Sequence, residues 1–575
     1  MKSKTSLFNP ALFRKNLTRF APLWGLFLVL TILFGPVSIL NNRASDFSEL
    51  YGIHQSVLES YFEARCYTAV FYSFFYAPLC AGLLFRYLHH TRSAYMMHAY
   101  PLNRSTQFVT NILSGFCFAV VPFVLQFVLN LLAAGGLPEQ SYLWKLLLVE
   151  ILCFTFFFGL AVFCMHLSGN SIISVLSYFV LNFLFYAVPA LMISLINTVS
   201  YGFDFSALDS KLLYLAPVMR MLSLQFFLDS TATIEWTAFL VYGLIGCVLL
   251  AVSWLLYRRR HLEQAGEAMV FPWARHAFLA LFTIFCTLGL GMLLTDLFVG
   301  SAGSWRETLP STLLFFLLAS FVGWFGAQMM LKRTVRVFRK RTVLGWACIA
   351  AAMAALICGL RFDVPGTQRY VPTQEELQSV TLTLDTNNYS DRNDLDAVLS
   401  VTDPEILAAV RAAHQDAYSF YCDNGRRNGF DLTIRYHLRS GRTVKRKITI
   451  SENTLQQFSM LLNQPEYAVQ YYEDILPEAL RDKKHFILEY NDPDSNRYNN
   501  NIVLSGTDND TLPDLLQEAM LRDAAEGNLP IPFLETVHTF DWDLTATDGP
   551  NYNEFSGLVI PSTAKHTLKL FGAEP

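Results

Sequence analysis

Nine stretches of this chain stay apolar long enough to cross a bilayer: about residues 20–41, 67–87, 107–134, 143–166, 170–197, 236–257, 275–298, 308–331 and 342–360. A hydrocarbon layer about 30 Å thick takes roughly 20 residues of helix to span. Inside it, a segment must satisfy its own backbone groups, which a helix does within one strand of chain. Nine membrane-spanning helices are therefore expected.

After residue 360 the period changes. Apolar and polar residues alternate in SVTLTLD (379–385), FDLTIRYHL (430–438), RTVKRKITI (442–450), HFILEY (485–490) and NIVLSG (501–506), as in strands. Ser440-Gly441 is placed to turn a hairpin between the second and third of these. Helical spacing returns at 403–418, 451–464 and 512–527, with Asp403-Pro404 and Ser451 as starts. Strands followed by a helix at least twice predict an α+β domain, in which two related lobes would fit. The expected fold class is thus a polytopic α-helical membrane protein of about nine transmembrane helices, followed by an α+β extracytoplasmic domain.

Composition agrees and adds an asymmetry. Of 575 residues, 53% are hydrophobic and only 16% charged, against about 25% charged in ordinary soluble domains. Residues 1–360 hold 24 Lys and Arg against 14 Asp and Glu, whereas residues 361–575 hold 19 against 33. Short loops rich in Lys and Arg stay in the cytosol. Lys2, Lys4, Arg14, Lys15 and Arg19 precede the first span; Arg86, Arg92 and Arg104 flank the second connection; Arg258–Arg260 follow the sixth span; KRTVRVFRKR (332–341) follows the eighth. With nine spans all of these fall on one side. The N-terminus is then cytoplasmic and the acidic 361–575 region extracytoplasmic, in a multi-pass plasma-membrane protein. The N-terminus has no short apolar core followed by a small-residue cleavage site, so no signal peptide is expected. Eight of the ten cysteines lie in apolar runs as small hydrophobes, leaving only Cys66 and Cys422 outside them as a conceivable disulfide pair.

Two cytoplasmic segments carry candidate chemistry. Before the first span, Phe13, Leu17 and Phe20 share a helical face with Lys15 and Arg19 opposite, which suits either an elbow helix in the headgroup layer or a plain basic tail. Between spans two and three stands HAYPLNRSTQF (98–108). Pro101 can open a helix, and Arg104 and Phe108 are spaced to share one face of it. This stretch is either a docking surface or a loop that serves topology alone. His89, His90 and His98 lack cysteines or carboxylates at ligand spacing and read as solvated loop histidines rather than a metal site. Within the spans, Glu150 is the outlier, since a carboxylate at depth costs roughly 2.5–3.5 kcal/mol to insert. It is either a substrate-path or gating group or the structural partner of a polar residue on another helix. Asn130 and Asn182 are candidates for interhelical hydrogen bonds, and Pro78, Pro122 and Pro189 for kinks.

PLNRSTQF resembles the Pro-Leu-x-Arg-x-x-x-Phe element after the second span of ABC-2 type permeases, matching at Pro101, Leu102, Arg104 and Phe108. YRRRHLEQAGEAMVFP (257–272) looks like the segment closing span six in large permeases of Gram-positive bacteria, which add spans and an extracytoplasmic C-terminal domain. The resemblance implies an elbow (1–19), a six-span core (20–257), a basic linker (258–274), three added spans (275–360) and the outer domain (361–575). It implies docking of ATPase subunits on Phe13, Leu17, Arg92, Pro101, Leu102, Arg104 and Phe108. It also implies pairing with a second permease subunit, identical or related, and export or clearance of an amphiphile such as a lipid or antimicrobial peptide. No G-x-x-x-x-G-K-[ST] occurs, so ATP and magnesium are expected on the partner, with no cofactor, metal or catalytic residue on this chain. Membrane lipids are the other expected contact, and no nucleic acid. The rival readings are a non-transporting sensor whose outer domain binds a ligand or peptide and, with no motif to support it, a membrane-bound enzyme.

Overall fold

In the computed structural model the described residues are 7–44, 57–135, 140–205, 208, 211–226, 236–299, 305–384, 397–424, 429–462, 464–480, 485–490, 501–505, 512–529, 531, 542–547, 556–561 and 563–571. Among them, nine helices are long and apolar enough to cross a membrane, in the order the hydropathy pattern predicts.

A short helix, α1 (Pro10–Arg19), starts on Asn9, whose side chain accepts from the Leu12 amide. The first span is broken rather than continuous. α2 (Ala21–Phe34) ends at Gly35, and Pro36, which lacks an N–H, begins α3 (Pro36–Ala44). A Cβ at Gly35 would stand 2.6 Å from the Thr31 carbonyl oxygen of its own helix, so the break itself requires glycine. α4 (Val57–Phe85) begins ten residues before the apolar run does. A short helix, α5 (Thr91–Ala99), precedes α6 (Arg104–Ala133), α7 (Ser141–Leu167) and α8 (Ser171–Val199). Then come α9 (Pro217–Phe226), α10 (Trp236–Arg259), α11 (Pro272–Phe298), α12 (Trp305–Lys332) and α13 (Lys340–Arg361). Pro78, Pro122 and Pro189 lie inside α4, α6 and α8, as the sequence suggests.

α7 is the axis of the bundle. Its phenylalanines, with Phe62, Phe74, Phe118 and Phe123, form one aromatic core shared by α2, α4, α6, α7 and α10. Lipid gives no hydrophobic drive to helix pairing, so small residues must let backbones meet. Gly159 and Gly246 do this for α7 and α10: a Cβ at either would fall within 2.5 Å of a backbone oxygen opposite. α11 and α12 form a hairpin in which Phe316 lies against Gly291. With α8 and α13 they form a second, smaller core of Leu195, Val199, Leu288, Met292, Phe316 and Ile357.

The C-terminal region is two copies of one topology. The first lobe runs β1 (Leu377–Leu384), β2 (Ala397–Val401), α14 (Pro404–Asn424), β3 (Phe430–Leu438), β4 (Thr443–Ile450), α15 (Glu452–Leu462). After α16 (Pro465–Ala479), the second runs β5 (His485–Tyr490), β6 (Asn501–Ser505), α17 (Leu512–Ala525), β7 (Trp542–Thr547), β8 (Ser556–Ile560), α18 (Lys565–Leu570). Both sheets are antiparallel, ordered β2-β1-β3-β4 and β6-β5-β7-β8. Two related lobes are thus present. Period-two alternation buries Val380, Leu382, Ile434, Tyr436, Ile448 and Ile450 in a core that includes α16 and α17. Gly441 turns the β3–β4 hairpin at φ +79°. All ten cysteines are free; Cys66 is buried among the spans and is not bonded to Cys422.

Candidate functional site

Three polar assemblies stand out, one at each end of the bundle and one inside it. The first gathers the carboxyl ends of three spans around two arginines. The last four carbonyls of a helix lack partners and carry the negative end of its dipole. A guanidinium, with five donors in a fixed fork, suits them. Arg260 Nη1 donates to the carbonyls of Met165 (3.2 Å), His166 (3.4 Å) and Ser168 (3.1 Å), and its Nη2 to Leu88 (3.0 Å), tying the end of α7 to the turn after α4. Burial pushes the Arg260 guanidinium down to about 10, still charged at neutral pH. Arg104, in the first turn of α6, donates to the carbonyls of Tyr257 (3.4 Å), Arg258 (3.2 Å) and Arg260 (2.8 Å) at the end of α10. The Tyr257 hydroxyl donates to Gln107 (3.0 Å), whose amide donates to the Met97 carbonyl of α5 (2.8 Å). Burial and the neighbouring Arg104 and Arg260 hold His98 of α5 below its usual value. α1 is fastened to the same end, Asn16 donating to Asn111 (2.9 Å) and Ser114 (3.1 Å) of α6.

The structure places the candidate docking residues as follows. Pro101 opens no helix: the short helix is α5, before it, and Arg104 and Phe108 belong to the first two turns of α6. Phe108 is buried against Phe85, His166 and Tyr257, and the half-buried Arg104 is engaged as a cap. Leu17 is half-buried against the bundle core, and Phe13, also half-buried, packs on Phe8. Leu102 is half-buried; Arg92 and Pro101 are exposed. What α5 does present are Tyr95 (53% exposed) and Met96 (59%), with Tyr100 just beyond. Sequence reasoning missed these three, although Tyr95 and Met96 flank Arg92 on a helix too short and polar to bury them. His89 is also not a solvated histidine: it is buried, with Nδ1 2.8 Å from Ser171 Oγ and Nε2 3.0 Å from the Met165 carbonyl. His90 is exposed.

The second assembly surrounds Glu150. Its Oε1 accepts from the Tyr72 hydroxyl (2.5 Å) and Gln126 Nε2 (3.1 Å) and pairs with Arg65 Nη2 (3.4 Å). Both charged side chains are almost wholly enclosed, 1% exposed for Glu150 and 4% for Arg65. Arg65 also donates to Gln126 (3.2 Å), and Asn130 to Tyr61 (3.0 Å), so α4, α6 and α7 are stitched together. The pair bridges α4 and α7, the contact that the structural-partner role of Glu150 calls for. Asn130 bridges helices as expected; Asn182 does not, since it donates to Tyr178 of its own helix.

The third assembly, at the opposite end, is the joint with the C-terminal domain. Chain leaving α8 is added to the edge of the first sheet. The Lys447 amide donates to the Gly202 carbonyl (3.2 Å), making an antiparallel bridge to β4. Tyr201 enters the domain core: its ring stacks on Tyr421 (4.7 Å between centroids), its amide donates to Gln368 (3.0 Å) and its hydroxyl accepts from the Thr449 amide (2.9 Å). Asp204 pairs with Lys445 at 2.6 Å. Arg361, at the end of α13, donates to the Tyr421 hydroxyl and the Val199 carbonyl.

Deeper in that domain His414 is fully buried, with Nδ1 3.0 Å from the Tyr436 hydroxyl and no partner for Nε2 among the described residues. Burial and then Arg446 push it from 6.5 down to about 4. The unfolded chain binds this proton between those values and the folded chain does not. Stability is therefore expected to fall as pH drops from about 6.5 to about 4, by about 3 kcal/mol. Amide exchange of β3 and β4 against pH checks this, and His414→Gln should flatten the profile.

Among the described residues Asp523, Glu526 and His566 lie close enough together to suggest a metal. Asp523, however, spends its carboxylate on the His566 and Thr567 amides and the Thr567 hydroxyl, at 2.7–3.0 Å. It is a helix cap.

Comparison with protein-family models, curated proteins and solved structures finds no match.

Proposed function

We propose that this chain is the permease subunit of an ABC-2 type transporter, moving an amphiphile such as a lipid or antimicrobial peptide on energy supplied by separate ATPase subunits. In this reading the arginine-rich end faces the cytosol, the C-terminal domain lies outside the cell membrane, and a second permease subunit completes the pore. ATP and magnesium bind the partner. The observation that supports the reading most is α5: a short helix between the second and third spans that exposes Arg92, Tyr95 and Met96 while its other face is fixed through Gln107, Tyr257 and His98 to α6 and α10. A push on so firmly braced a helix moves the spans with it. The docking set is accordingly Arg92, Tyr95, Met96, Tyr100 and Pro101 in place of Arg104 and Phe108.

Affinity capture of the full chain from its native membranes is expected to recover an ATP-hydrolysing subunit. Tyr95→Asp with Met96→Asp should lower that recovery roughly tenfold or more, as loss of a central aromatic contact does, with thermal unfolding unchanged. Equal recovery contradicts the reading. A second reading, a sensor without transport, draws on the joint with α8, which would carry a ligand's effect into the spans. A chain that binds no ATPase yet changes conformation on peptide binding would favour it.

A further inference from the structure

We propose that residues 332–341 form a binding surface for the headgroups of anionic phospholipids. The link between α12 and α13 carries Lys332, Arg333, Arg336, Arg339, Lys340 and Arg341, and every one is exposed. Other basic residues of this bundle are engaged, Arg104 and Arg260 as helix caps and Arg275 in a pair with Glu267 at 2.5 Å, and no other link among the described residues holds six exposed cations together. Among the described residues, none of these six side chains has a hydrogen-bond or ion-pair partner. Lys340 and Arg341 also sit in the first turn of α13, where the helix dipole disfavours cations and no acidic residue offsets them. Six uncompensated charges in ten residues call for anions from outside the chain.

The apolar residues between the charges say which anions. Val335 is 73% exposed and Phe338 58% exposed, whereas Val337 between them is fully buried and pins the link. The Phe338 ring lies 4.7 Å from Phe325 and 6.2 Å from Phe321, both on α12, so it leans back along the span toward hydrocarbon. Trp324 and Trp346 stand at the same level, Trp324 donating to the Thr342 carbonyl (2.8 Å) and Trp346 to Ser320 (3.2 Å). Aromatic rings with polar tips mark the headgroup layer. Cations at that depth, interleaved with side chains that partition into acyl chains, fit a lipid carrying both a phosphate and two tails; a soluble anion would leave Val335 and Phe338 in water. The proposal requires only that α12 and α13 cross the membrane and is independent of the transport reading.

The test uses the full chain in nanodiscs of phosphatidylcholine alone or mixed with phosphatidylglycerol, reading by native mass spectrometry the ratio of the two lipids that remains bound. The wild type is expected to retain phosphatidylglycerol preferentially. Arg336→Gln with Arg339→Gln should cut that preference about tenfold, since each headgroup-level cation contributes several-fold, while unfolding in phosphatidylcholine alone stays as in the wild type. Equal retention by wild type and variant overturns the proposal. Should the variant fail to fold, the wild type alone decides: raised ionic strength must release the excess phosphatidylglycerol, and a preference indifferent to salt overturns it. Displacement by inorganic phosphate at matched ionic strength would make the ligand a free anion. Capture of the ATPase by this loop without lipid preference would make it a protein site. Either result also refutes a lipid surface.

Discussion

Replacing Glu150 with alanine is expected to destabilise the bundle by about 3–5 kcal/mol, the cost of leaving one member of a buried ion pair uncompensated. The loss is specific to the imbalance. Arg65 would keep its charge within the spans, with Gln126 as its remaining partner, and the Tyr72 hydroxyl would lose its acceptor. Replacing both members, Arg65→Met with Glu150→Leu, removes the charges together and should recover most of the loss, as apolar replacement of buried pairs commonly does. Glu150→Gln keeps an acceptor for Tyr72 and should fall between. Unfolding of the full chain in detergent micelles, followed through the four variants, gives the ordering. If Glu150→Ala unfolds like the wild type while cargo-stimulated ATPase activity collapses, the carboxylate serves transport and not the fold.

Tyr201→Ala is expected to cost about 3–5 kcal/mol locally, in the range for removing a large buried aromatic, and to free the C-terminal domain from α8. The residue belongs to the chain between the fifth and sixth spans, yet its ring is buried in the core of the C-terminal domain. Hydrogen exchange locates the effect: amides of β4, Lys447 and Thr449 above all, should exchange faster, while those of the second lobe are unchanged. Tyr201→Phe, which deletes only the acceptor for the Thr449 amide, should lose about 1–3 kcal/mol. Uniform protection of β4 in Tyr201→Ala would mean that the domain is held by the α13 connection alone.

Much of this fold is legible in the sequence because it rests on long, one-dimensional signals. Nine apolar runs become, among the described residues, nine helices long and apolar enough to cross a membrane, and alternation places β1, β3, β4, β5 and β6. Weaker signals fail where they are short or where distant partners set them. β2 (AVLSV) and β8 (SGLVI) show no alternation, whereas β7 (WDLTAT) alternates over six residues and sequence reasoning left it out. The start of α4 is misplaced because Glu59, Glu63 and Arg65 interrupt the apolar run, and the ion-pair partner of Arg65, Glu150, lies 85 positions away. Lone opposite charges in two spans are nevertheless a readable hint of a pair. The 98–108 stretch is the instructive case. Spacing puts Arg104 and Phe108 on one face of a helix, which is so, but that face looks inward, because the carbonyls at the end of α10 need a donor and an arginine on the next helix supplies it. Helix-end carbonyls have no sequence signature, so a capping arginine and a docking arginine look alike until the helices are assembled.

The proposed function needs α5 and the arginine caps in the cytosol and the C-terminal domain across the membrane. Two reporters fused in turn after Pro575 decide it. Alkaline phosphatase should be active and green fluorescent protein dark, since the first matures only outside the cytosol and the second only inside. Bright fluorescence with inactive phosphatase would put the domain in the cytosol and contradict the account.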